Sequence, residues 1–263
     1  MCRWIAYQGE PTFLDALVAE PAHSLIAQSM RATEAKVATN GDGFGVGWYG
    51  DRAVPGVYRE IRPAWSDENL RSLCHQVRSS LFFAHVRAST GPAIARANCH
   101  PFSVGRFMFM HNGQVGQYCA IKRRLEALIP DDYYHDRAGT TDSEALFLAG
   151  FGFGLAADPV GALARTLVAV HGLMAQAGLT EPLRFTAALT DGRDLHAIRW
   201  ASDGHAPTLY WRQNAGCIII VSEPLDGERA QWHEVPQGCV LTARDGQCLA
   251  IAPFGECHQA VAA

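Results

Sequence analysis

The order in which two hydrophobic periods follow one another along this chain limits the folds open to it. Short runs with the two-residue period of half-buried strands come first, at Arg3–Tyr7, Phe44–Tyr49, Val57–Ile61, Leu81–Val86 and Phe107–His111. Helical patterns lie between them and fill the middle. Ser66 is placed to cap a helix running to Val77, Thr141-x-x-Glu144 is a capping-box pattern opening another, and a third helix is predicted from Pro159 to Met174. The last third returns to strands as two hairpins. Arg184–Thr190 and Leu195–Trp200 flank Asp191-Gly192, and Val240–Ala243 and Cys248–Ile251 flank Asp245-Gly246. A doubly wound parallel sheet needs regular strand-helix alternation, which is missing here, so the pattern predicts an α+β fold with antiparallel sheet. No linker, low-complexity segment or internal repeat interrupts it, and residues 2–263 read as one domain.

With 263 residues, 48% hydrophobic and 18% charged, the chain can bury a substantial core. A net charge of −4 and scattered basic residues argue against a nucleic-acid partner. The longest apolar stretch, Ala145 to Ala157, is too short for a bilayer and is closed by Asp158-Pro159, so no membrane association is expected. Eight cysteines without a Cys-x-x-Cys pair, no Asn-x-Ser/Thr site and no secretory start together predict reduced thiols in a cytoplasm.

Several short segments carry chemistry. Cys2 follows the initiator Met directly; with Met1 removed, one residue would hold a nucleophilic thiol and an α-amine whose pKa of about 7.7–8.0 suits it to proton transfer. The alternative is a small residue entering a buried strand. Asn40-Gly41-Asp42-Gly43-Phe44-Gly45-Val46-Gly47 lacks the spacing of a dinucleotide loop, and its alternating glycines suit a strand that another backbone approaches closely. Arg87, in His85-Val86-Arg87-Ala88-Ser89-Thr90, ends an apolar strand before Gly91-Pro92; its planar fork matches a carboxylate, though a surface ion pair would also explain it. His111-Asn112-Gly113 closes the next apolar strand, either as a turn or as the amide and backbone N–H donors of an oxyanion hole. Asp142, in Thr140-Thr141-Asp142-Ser143-Glu144, complements a helix dipole or holds a substrate ammonium. Cys74-His75 and Asn98-Cys99-His100-Pro101, with His85 and His111, match no common zinc spacing, and neither a metal nor a cofactor is expected.

In this order, Cys2, Asn40 to Gly45, His85-Val86-Arg87, Asn98 to Pro101, His111-Asn112-Gly113 and Thr141 to Glu144 resemble the glutaminase domain of class II glutamine amidotransferases, which are N-terminal-nucleophile hydrolases. The likeness is strong from residue 2 to about 150, and Val221-Ser222-Glu223-Pro224 is similar to a later family strand. It is nearest to the stand-alone branch that includes a fungal glutathione-degrading subunit and an ergothioneine-pathway γ-glutamyl hydrolase. The resemblance implies a four-layer αββα sandwich with two antiparallel sheets. It makes Cys2 the nucleophile, Asn112 and the Gly113 amide the oxyanion hole, Arg87 the clamp for a substrate α-carboxylate and Asp142 the acceptor for its α-ammonium. The implied reaction is hydrolysis of a γ-glutamyl amide, glutamine by default, through a thioester on Cys2. A γ-glutamyl peptide or thiol conjugate such as glutathione is the alternative substrate, and a non-catalytic binding subunit the alternative role. Many members carry a Trp and a His after the clamp Arg, where this chain has Ala88, Ser89 and Thr90, so its pocket is expected to differ in shape. The chain ends at Ala263, too soon for a synthase or sugar-isomerising domain, so either an ammonia acceptor site lies on a separate acceptor or peptidase subunit or the enzyme is expected to be a plain hydrolase.

Overall fold

In a computed structural model, which describes residues 2–34, 39–89, 93–214 and 216–255, the elements follow in this order. They are β1 (Arg3–Phe13), α1 (Asp15–Val18), α2 (Leu25–Met30), β2 (Phe44–Trp48), β3 (Gly56–Glu60), α3 (Glu68–Gln76), β4 (Arg78–Val86), β5 (Phe102–Val104) and β6 (Phe107–Val115). Next come α4 (Tyr118–Glu126), α5 (Asp131–Tyr134), α6 (Asp142–Gly152) and α7 (Pro159–Gln176). The chain then runs through β7 (Leu183–Thr190), β8 (Asp194–Ala201), β9 (Tyr210–Asn214), β10 (Cys217–Val221), β11 (His233–Glu234), β12 (Cys239–Arg244) and β13 (Gln247–Pro253).

Every strand pairing among the described residues is antiparallel, in two sheets ordered β11-β9-β10-β1-β4-β2-β3 and β13-β12-β8-β7-β6-β5. Alternation along the strands sorts side chains into three buried layers. Trp4, Ala6, Phe83 and Ile220 of the first sheet meet Met108, Met110, Ala188 and Leu241 of the second. On the outer face of the first sheet, Ile5, Phe82 and Val86 pack under Leu17, Leu25 and Leu70 of the short helices. On the outer face of the second, Phe109, Phe185 and Ile198 pack under Ile121, Phe147, Leu163 and Leu167. These contacts make the helix-sheet-sheet-helix sandwich. No helix among the described residues is long and apolar enough to cross a membrane.

Two local expectations change. Asp67, not Ser66, caps α3 by accepting from the Leu70 amide at 2.7 Å; Ser66 is held in a preceding 3-10 turn, its hydroxyl bonded to the Pro63 carbonyl. At α6 the Thr141 hydroxyl accepts from the Glu144 amide, but the Glu144 carboxylate turns to Arg137 and to the Ala138 and Gly139 amides, so the capping box is half made. The glycines of β2 behave as expected: a Cβ on Gly45 would strike the His100 carbonyl and one on Gly47 the Met108 sulfur.

Candidate active site

Strand register places Cys2 before any side-chain contact is considered. Arg3 pairs with Val86 in the antiparallel β1–β4 ladder, so the next residue outward on each strand, Cys2 and Arg87, lie side by side at the rim. The Cys2 thiol accordingly points at the Ala88 carbonyl, 3.6 Å away. Cys2 keeps part of its surface open, yet its thiol is surrounded by protein. Burial pushes the thiol pKa up, and a backbone hydrogen bond from Ala88 together with the charges of Arg87 and Arg3 acts in the opposite direction.

Arg87 is not the surface ion pair that a strand-end Arg suggests. It is 4% exposed, and its guanidinium donates to the Asp42 carbonyl (3.4 Å), the Ser89 hydroxyl (3.1 Å) and the Ala93 carbonyl (3.4 Å). The glycine-rich run braces it. The Arg87 amide donates to the Gly43 carbonyl, the Asp42 amide to the Arg87 carbonyl, and the Ser89 amide to the Asp42 carboxylate at 2.7 Å. The alternating glycines of this run predict only a closely approached strand, whereas its Asp42, an acidic residue between two glycines, is what holds the loop after Arg87. Thr90 and Gly91-Pro92 lie outside the described residues.

Asn112 and Gly113 do not form a turn. β6 continues through them to Val115, with Asn112 opposite Thr186 and Gly113 opposite Phe185 on β7. The neighbouring strand supplies the ladder hydrogen bonds that a turn would have replaced. The Asn112 side chain enters the inter-sheet space and donates from Nδ2 to the Cys2 carbonyl at 3.0 Å, joining the two sheets at their rim. Gly113 is required by proximity, since a Cβ there would strike the Arg184 carbonyl and the His111 ring.

Asp142 opens α6 beside the same strand. Its Oδ2 accepts from the Val115 amide at 2.8 Å and its Oδ1 from the Ser143 amide at 2.8 Å. A carboxylate offers about four lone-pair sites, so capacity remains for a ligand cation. A cleft of about 450 Å³ adjoins it, lined among others by Gly113, Gln114, Tyr118, Lys122, Asp142 and Glu181.

Of the other sequence candidates, Cys74, His85, Cys99 and His100 are buried in the packing, while His75 is exposed and bonds the Asp15 carboxylate. His85 and His100 are buried with ring centroids 4.4 Å apart, and the Cys99 thiol faces the Glu60 and Ala95 carbonyls. Among the described residues, no three His, Cys, Asp or Glu side chains are grouped to hold a metal ion.

Residues 16–204 match the family described as glutamine amidotransferases class-II. The chain belongs to that family. This class II glutamine amidotransferase is 32% identical to the probable glutamine amidotransferase DUG3 of Saccharomyces cerevisiae, over 98% of this chain and 86% of the relative. It is 28% identical to the gamma-glutamyl-hercynylcysteine sulfoxide hydrolase of Mycolicibacterium smegmatis, over 95% of this chain and 98% of that one. Among solved structures, the glutamine aminotransferase class-II domain protein from Silicibacter pomeroyi superimposes with a TM-score of 0.76 at 39% identity, covering 96% of this chain and 99% of that one. Glutamine phosphoribosylpyrophosphate amidotransferase from B. subtilis shares the fold alone, with a TM-score of 0.61 at 13% identity over 96% of this chain and 49% of its own. The sandwich of this class II glutamine amidotransferase is thus the N-terminal-nucleophile hydrolase fold.

Proposed function

We propose that this chain hydrolyses a γ-glutamyl amide, with glutamine the default substrate, through a γ-glutamyl thioester on Cys2. The observation that carries the reading is the Asn112 Nδ2 contact with the Cys2 carbonyl, which sets an amide donor beside the nucleophilic residue across two sheets. After removal of Met1, the Cys2 α-amine takes the thiol proton and the thiolate attacks the γ-carbonyl carbon. The carbonyl π electrons move onto oxygen, where the second Nδ2 proton of Asn112 and the Gly113 N–H stabilise them. The tetrahedral species collapses to the thioester as the leaving amine takes a proton from the α-ammonium. Water then adds to the thioester, and the thiol leaves. Arg87 clamps the substrate α-carboxylate and Asp142 its α-ammonium, one donor fork and one acceptor for the two charges of a γ-glutamyl group.

A γ-glutamyl peptide or thiol conjugate is the second reading. The relative named for gamma-glutamyl-hercynylcysteine sulfoxide supports it, as does the small Ala88-Ser89 pair following Arg87. A separate acceptor or peptidase subunit would take the product. We place the enzyme in a reducing cytoplasm, supported by seven described cysteines that are all unpaired. A substrate panel of glutamine, glutathione and γ-glutamyl amines, run on protein whose mass shows Met1 removed, tests both readings. Turnover of none of them, with no Cys2 adduct from a glutamine-like electrophile, would leave a binding subunit.

A further inference from the structure

A γ-glutamyl enzyme must tell its substrate from the β-aspartyl homologue, which carries the same charged groups and the same amide one methylene closer together. That discrimination depends on a fixed distance between the group that holds the α-ammonium and the donors that hold the carbonyl oxygen. Here the first group stands on a helix and the second on a strand. Two struts join them: the bond from the Val115 amide to Asp142, and a link one residue further along the helix, between Ser143 and His111.

The polarity of the second strut follows from its partners. His111 is 1% exposed, flanked by the Phe185 ring at 5.0 Å and the Phe109 ring at 6.4 Å. Its Nε2 lies 3.1 Å from the Arg184 carbonyl, which can only accept, so Nε2 carries the proton. Burial lowers the affinity of the ring for a second proton, against the opposing pull of Asp142 and the Arg184 carbonyl. Nδ1 of the neutral ring is therefore an acceptor, and the Ser143 hydroxyl, 2.8 Å away and buried, donates to it. With its one proton committed, Ser143 Oγ has none for the Asp142 carboxylate 3.4 Å away, whose Oδ1 is held by the Ser143 amide instead. The hydroxyl thus acts as a tie between α6 and β6.

We propose that Ser143, held by His111, is a positioning residue that sets the spacing between Asp142 and the Asn112-Gly113 donors and so selects γ-glutamyl over β-aspartyl substrates. The inference rests on the reading of Asp142 as the α-ammonium acceptor. Neither Ser143 nor His111 lines the cleft beside Asp142.

The test compares γ-glutamyl methylamide with β-aspartyl methylamide on the full chain, with the released acid measured by mass spectrometry. Ser143→Ala is expected to raise KM for the γ-glutamyl amide about tenfold with a smaller change in kcat, and to lower the γ-glutamyl to β-aspartyl ratio of kcat/KM about tenfold. Ser143→Thr, which restores a hydroxyl, should recover the ratio. Ser143→Cys, near in volume and a weak donor, gives the same comparison if the Ala variant fails to fold. An unchanged ratio in the Ala or Cys variant, or a lowered ratio that Thr does not recover, overturns the proposal. Asp142→Asn separates the two readings. If it leaves KM for the γ-glutamyl amide unchanged, the ammonium assignment falls and the spacing proposal with it; a raised KM beside an unaltered Ser143→Ala ratio defeats the spacing proposal alone.

Discussion

Asn112 Nδ2 lies 3.0 Å from the carbonyl oxygen of Cys2, so a residue of the second sheet holds the backbone just ahead of the first strand of the other. An amide nitrogen has two protons, and this bond uses one. The second remains free of that bond, and in the mechanism proposed above it meets the developing oxyanion.

Asn112→Ala removes both protons. We expect kcat to fall by about 10²–10³, the usual loss for an oxyanion donor, with a small change in KM. Urea unfolding should shift by about 1 kcal/mol, since a single neutral hydrogen bond is lost. Steady-state kinetics beside an unfolding curve check the split; an active variant of normal kcat would exclude the oxyanion role.

Arg87→Lys tests the carboxylate clamp. The guanidinium donates to oxygens of Asp42, Ser89 and Ala93 from one fork, a geometry an ammonium cannot copy. We expect KM to rise about ten- to a hundredfold for substrates with a free α-carboxylate, and far less for an α-amide analogue. Equal losses on both would show that Arg87 acts through the loop and not on the carboxylate.

The sandwich was legible because its cores follow strand alternation, and the Asp-Gly hairpins of the last third lie where their turn chemistry put them. The strand boundary at His111 was not. Asn112-Gly113 has the local preference of a turn, but β7 lies alongside and pairs with both residues, so tertiary context overrides local chemistry. The reactive residue types were also legible one by one. Their supports were hidden, because Ser143 with His111, Asp42 with Ser89, and Arg3 with Glu223 are separated by 32, 47 and 220 positions and no local period connects them.

Arg3 and Glu223 carry a stability prediction. Arg3 is wholly buried next to Cys2 and Glu223 is 1% exposed, with Nε and Oε2 3.7 Å apart. The Glu223 carboxylate also accepts from the Thr33 and Glu34 amides, at 2.9 and 3.1 Å, and from the Thr33 hydroxyl. Burial would raise its pKa, but the Thr33 and Glu34 donors and the Arg3 charge outweigh that and hold it below the usual carboxylate range. Its contribution is therefore present above the unfolded carboxylate pKa of about 4.3 and is lost as pH falls through the lower folded value. Glu223→Ala takes the counter-charge from a buried guanidinium that still donates to the Ser222 and Glu34 carbonyls, and should cost about 3–5 kcal/mol at pH 7. Denaturant titration measures it; a loss under about 1 kcal/mol would mean that Arg3 finds solvent or another partner.

His85 and His100 give a second pH dependence of separate origin. Both rings are buried, and neither nitrogen of His100 has a hydrogen-bond partner among the described residues. Burial, then the Arg87 charge, push His85 down to about 3 against a hydrogen bond to the His111 backbone; burial, with the charges of Arg59 and Arg87 behind it, holds His100 well below its ordinary value. The unfolded chain therefore binds protons that the folded chain refuses. Stability should be full above the unfolded pKa of about 6.5 and decline as pH drops from there toward 3. His100→Phe replaces a neutral buried ring by an apolar one beside Phe102, whose centroid lies 4.5 Å from that of His100. We expect the variant to match the parent at pH 7.5 and to lose about 1.5 kcal/mol less between pH 6.5 and 5, the share of one histidine. Urea midpoints taken across that interval decide the matter. Identical slopes would mean that His100 is protonated in the folded protein, with water or another partner meeting the nitrogens that this packing leaves bare.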